Sequence, residues 1–77
     1  MDEQSIRFFQ QQLEWFKEQD LLLAKIEGKL RAMRDLAAYR LMYELEAADI
    51  ELLNDQMQQL QREIVELERQ RDIEVLH

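Results

Sequence analysis

Residues 50–67 read IELLNDQMQQLQREIVEL, and within them Ile50, Leu53, Met57, Leu60, Ile64 and Leu67 follow one another at alternating steps of three and four. That spacing puts all six on one stripe of an α-helix and makes the a/d seam of a coiled coil. Toward the N-terminus the same register takes in Leu36, Tyr39 and Tyr43 and is interrupted only by Glu46. It predicts a long helix over residues 21–76 carrying a continuous seam over 36–67. A seam of this kind points to a second copy of the chain, as a homodimer or higher homo-oligomer. In a parallel pair Glu63 would face Glu68 of the other copy, so an antiparallel arrangement is favoured.

A second apolar line, Leu30, Met33, Ala37, Leu41, Leu45, Ala48 and Leu52, lies on another side of the middle segment, which predicts two packing partners for it. A structural alternative is a hairpin turning between Asp49 and Asn54, which would tuck the two halves of the seam together within one chain. Further upstream, Ile6, Phe9, Leu13 and Phe16 form their own stripe, flanked by Phe8 and Trp15, and its register breaks at Asp20. Ser5 and Asp20 are candidate N-caps for two successive helices. The expectation is a short aromatic amphipathic helix over residues 5–19, folded back across Gln19 and Asp20. Phe16 would then meet Ala24, Leu13 would meet Gly28, Phe9 would meet Ala32 and Ile6 would meet Leu36. Such a close approach would account for Gly28, which otherwise weakens a helix by about 1 kcal/mol relative to Ala. The competing explanation is a tolerated glycine on an exposed turn. The fold class expected is therefore all-α, a single helical domain over 1–77 with a short N-terminal helix, a long helix and a coiled-coil or helical-bundle assembly.

Composition narrows the function. The 77 residues include no Pro, no Cys and a single Gly, and 17 acids against 10 bases give a net charge of −7. Without Cys there is neither a disulfide framework nor a thiolate metal site, and the lone histidine is His77. A di-iron helical bundle needs Glu-x-x-His, which does not occur. Ser5 is the only serine, so nucleophilic catalysis would have to pair it with a terminal histidine. The lone Gly28 makes no phosphate-binding loop. No enzyme activity, metal or cofactor is expected.

Nucleic acid is not an expected partner, because even the most basic segment, with Lys25, Lys29, Arg31, Arg34 and Arg40, is matched by acids between residues 21 and 50. The acidic start, Met1, Asp2 and Glu3, and a longest apolar run of four residues at 21–24 predict neither a signal peptide nor a membrane span. A cytoplasmic protein is the default. The aromatic N-terminal segment is itself acidic, which argues against an interfacial membrane helix.

All six aromatic residues fall within the first 43 positions, so a hot spot for a foreign protein belongs at this end, with Phe8 and Trp15 as its candidates. The function expected is a noncatalytic protein-protein interaction module, a small adaptor or regulator that self-associates along the seam and docks a partner protein through its aromatic N-terminal region. One alternative is a purely structural coiled-coil subunit. Another is an acidic decoy that masks a basic nucleic-acid-binding groove with Glu51, Asp55, Glu63, Glu66, Glu68, Asp72 and Glu74.

Overall fold

The computed structural model describes residues 2–75, with side chains described through Arg71. Two helices make up the fold: α1, Glu3–Met42, and α2, Ala47–Val75. They pack against one another as a hairpin measuring 66 × 19 × 12 Å, and no strand occurs among the described residues. The all-helical reading therefore holds, while the position of the chain reversal does not.

The break expected at Asp20 is absent, because α1 runs through it without interruption. Asp2 caps this helix instead, its side chain accepting a hydrogen bond from the Ser5 backbone N–H at 2.8 Å. Ser5 is thus a first-turn residue, and Asp20 is an exposed residue in mid-helix. Neither Gly nor Pro stands near Asp20 to end the helix, and an exposed Asp costs a helix only a few tenths of a kcal/mol relative to its better formers. Continuity has a return: it keeps Gln19, Leu22 and Ile26, all three buried, in line along the face that meets α2. The fold-back of residues 5–19 onto Ala24, Gly28 and Ala32 consequently does not form. A Cβ placed on Gly28 would meet nothing within 4 Å, so the glycine is a tolerated one on an open turn.

The reversal falls at residues 43–46, a few positions before the 49–54 alternative, and splits the long helix expected over 21–76. Residue 76 lies outside the described residues. Tyr43 leaves α1 in an extended conformation, with its N–H still bonded to the Tyr39 carbonyl at 3.2 Å and the two rings 4.6 Å apart. Asp49 reaches back from the first turn of α2 to accept the Glu46 N–H at 3.4 Å, which is half of a capping box. The connection contains no positive-φ residue, so it needs no glycine.

The two helices pack antiparallel. On α2 the predicted seam faces inward: Leu53 and Ile64 are buried, and Ile50, Met57, Leu60 and Leu67 are half-buried. On α1 the matching line is Trp15, Gln19, Leu22, Ile26, Lys29, Met33 and Leu36, all buried or half-buried at steps of four and three. Two polar contacts pin its register. Lys29 Nζ lies 3.0 Å from Glu63 Oε2, and Arg71 Nε donates to Gln19 Oε1 at 3.4 Å. Polar residues inside a seam discriminate against slipped registers, in which they would face apolar side chains. The seam over 36–67 is thereby divided, with Leu36 and Tyr39 in α1, Tyr43 at its end and the remaining six residues in α2.

Candidate interaction surface

The two inter-helix polar contacts set which residues of α1 and α2 stand level, their numbers summing to about 90. Val75, the last described residue of α2, is therefore level with Trp15. Residues 3–14 of α1, about 18 Å of helix at 1.5 Å per residue, lie beyond that level. This stretch carries the aromatic segment that the sequence singles out.

At 100° per residue, Ile6, Phe9, Leu13 and Phe16 lie about 140° around the helix from the line that meets α2. They are 44%, 52%, 58% and 55% exposed respectively. Phe8 and Trp15 belong to the other side. They precede Leu22, Lys29 and Leu36 at steps of seven, so they continue the hairpin's own seam outward. Trp15 is half-buried, and Phe8, beyond the level of the last described residue of α2, is 56% exposed. Edge-to-face ring contacts join the two sides, Phe8 with Phe9 at 5.9 Å and Trp15 with Phe16 at 5.0 Å between centroids. Sequence reasoning treated Phe8 and Trp15 as flanks of one stripe. The missed signal was their seven-residue spacing to Leu22, which assigns them to the opposite face.

A second apolar region surrounds the reversal, where Tyr39, Leu41, Met42, Tyr43 and Leu52 are exposed. Beside it a shallow depression is lined by Leu36, Tyr39, Leu45, Leu52 and Leu53, with Asp49 and Gln56 as its polar members. Of the second apolar line expected in the middle segment, Met33 packs toward α2, whereas Leu30 and Leu41 face solvent.

Charged groups along the hairpin are engaged mostly with near neighbours. Glu63 is held below its usual value first by the hydrogen bond from Lys29, and Glu66 by the bond from Arg69, whose own value is raised in return. Arg69 grips Glu66 with two nitrogens at 2.7 and 3.0 Å. Asp2 is lowered by the Ser5 backbone N–H it accepts. Of the acids proposed to fill a basic groove, Glu63 and Glu66 are thus already partnered within the chain. The side chains of Asp72 and Glu74 lie outside the described residues, as does His77. Among the described residues no group of three or more His, Cys, Asp or Glu side chains is placed to hold a metal ion. Nor, among them, is any helix long and apolar enough to cross a membrane.

Comparison with known proteins yields no match: no family model fits the sequence, and no curated protein or solved structure is significantly similar to it.

Proposed function

We propose that this chain is a noncatalytic protein-interaction module of the cytoplasm, a small adaptor or regulator that self-associates and docks a partner protein through the aromatic N-terminal turns of α1. The observation that carries this reading is the segment 3–14 of α1, which bears Ile6, Phe9 and Leu13 exposed on one face and Phe8 exposed on a nearly opposite one. A helix apolar on both sides is characteristic of a segment that ends up enclosed, and no described residue of α2 stands beside this one. Trp15 is the outermost member of the line on which α2 packs and Phe8 continues that line one heptad further, so an amphipathic helix of another protein that docks at Phe8 meets the same ridge that α2 meets further along. Aromatic anchors of this kind dominate the energetics of protein interfaces.

The test is an affinity capture from the source cell in which wild-type chain is compared with Phe8→Ala/Trp15→Ala. Circular dichroism is used to verify that both are equally helical. The expected result is a partner protein retained by wild type in high salt and lost with the double variant. Equal retention by both, or release by low salt alone, would contradict aromatic docking, the latter in favour of an acidic decoy.

A further inference from the structure

The stripe on the far side of this segment, Ile6, Phe9, Leu13 and Phe16, is symmetric about residue 11, and the geometry points to a second copy of this chain as its occupant, paired antiparallel about that point. This inference rests on the self-association half of the proposed function and assigns it a place. An isologous two-fold interface requires a self-complementary patch. Here Ile6 falls opposite Phe16 of the other copy and Phe9 opposite its Leu13, so one pairing satisfies all four side chains on both chains.

Charge supports the same arrangement. In heptad positions Ile6 and Leu13 are a, Phe9 and Phe16 are d, Glu3, Gln10 and Lys17 are e, and Ser5, Gln12 and Gln19 are g. Antiparallel pairing about residue 11 brings e against e and g against g. Glu3 then faces Lys17 of the other copy, twice by symmetry, Gln10 faces Gln10, and the g positions are uncharged throughout. A parallel pairing sets g against e and brings no opposite charges together. Within one chain Glu3 and Lys17 occupy only exposed local contacts, with Arg7 at 3.1 Å and Glu14 at 3.7 Å, which are readily exchanged. Beyond Phe16 the next two a positions are charged, Asp20 and Glu27, and only the d positions Leu23 and Leu30 remain apolar.

The area is sufficient. A half-exposed Phe, Leu or Ile contributes on the order of 100 Å² of apolar surface, so four on each of two chains remove roughly 800 Å². With the polar rim that is about 1,300 Å², inside the range of stable specific interfaces. Each α2 lies on the outer side of its own α1 and does not obstruct the pairing. Phe8 and Trp15 stay turned away from it, so the pairing does not use the face proposed for a foreign partner.

Analytical ultracentrifugation of the full chain tests the proposal. Wild type is expected to dimerise at micromolar concentration, and Leu13→Glu to weaken the dimer by about a hundredfold or more, because it buries an unpaired carboxylate. Leu13→Ala guards against a purely charge-driven effect and is expected to weaken it by a smaller factor. Leu30→Glu, on an exposed site outside the stripe, should leave it unchanged. Glu3→Lys is expected to weaken the dimer several-fold and Glu3→Lys/Lys17→Glu to restore it. A monomeric wild type would overturn both this pairing and the self-association reading. A dimer indifferent to both Leu13 variants would overturn the pairing alone. So would a Leu13-sensitive dimer in which the double charge reversal fails to restore affinity, since the antiparallel register requires that rescue.

Discussion

Replacing Gly28 by Ala distinguishes the two explanations of the one glycine in the chain. In the hairpin, Gly28 is exposed within α1 and a Cβ there would touch nothing within 4 Å. Its helical phase also points away from both α2 and the Ile6–Phe16 stripe, so neither the fold nor the proposed dimer approaches it. The substitution then acts through helix propensity alone, which favours Ala over Gly by about 1 kcal/mol in a helix interior. For a domain of this length a gain of about 1 kcal/mol raises Tm by roughly 4–8 °C. The assay is thermal and urea unfolding followed by circular dichroism, both proteins at one concentration because association contributes to apparent stability. The urea midpoint should rise with an unchanged slope, since the area exposed on unfolding does not change. A lower Tm would refute the reasoning, because it would mean that another helix approaches Gly28 closely enough to be displaced by a methyl group.

Three further outcomes follow from the packing and the charges. Ile26 is 7% exposed, and Ile26→Ala should destabilise by about 2 kcal/mol, the low end for such truncations because solvent reaches the sides of a two-helix interface; Leu30→Ala, at an exposed site, should stay within about 0.5 kcal/mol by the same unfolding assay. Asp2, Glu63 and Glu66 all have lowered values, so the folded chain binds fewer protons than the unfolded one as carboxylates titrate. Their contribution is present above the unfolded values and lost as pH falls through the folded ones, so Tm should drop between roughly pH 5 and pH 3. Glu63→Gln, which leaves a neutral acceptor for Lys29, should flatten part of that acid limb in melts recorded across the same range.

The helical class was legible; of the residues read as a seam between copies, Leu53 and Ile64 stand buried within one chain, on the line that their spacing defines. The reversal was obscured for two physical reasons. Tyr43 leaves α1 in an extended conformation and no residue of the connection takes a positive φ, so no Gly or Pro marks it. In addition, Leu36, Tyr43, Ile50, Met57 and Ile64 repeat every seven residues straight across it, which mimics one unbroken helix. What changes at the turn is the companion line: in α1 it stands four residues after Trp15, Leu22 and Lys29, at Gln19, Ile26 and Met33, but in α2 three after, as with Ile50 and Leu53. That switch was present in the residues. It went unread because Gln19 and Lys29 occupy two of α1's inward positions and hide the seam from a count of apolar residues. Asp20 was mistaken for a cap because the stripe through Phe16 stops there, although the stripe that folds the chain runs along the opposite face. Which exposed face meets which partner depends on surfaces outside the chain, and on that the symmetry and charge of the N-terminal stripe speak more clearly than its hydrophobicity.

The central claim is that one chain closes on itself, leaving its N-terminal turns for other molecules. A continuous helix paired antiparallel with a second copy could make the same side-chain contacts between chains, so contacts alone do not decide it. The chain has no native cysteine, and nitroxides attached at Arg31→Cys and Arg62→Cys, two exposed sites near the Lys29–Glu63 pair, can be measured by electron paramagnetic resonance in an excess of unlabelled chain. The hairpin predicts a short intrachain separation, set by helix axes about 10 Å apart plus the label tethers. An intrachain separation near 46 Å, the length of 31 residues of unbroken helix at about 1.5 Å each, would contradict it.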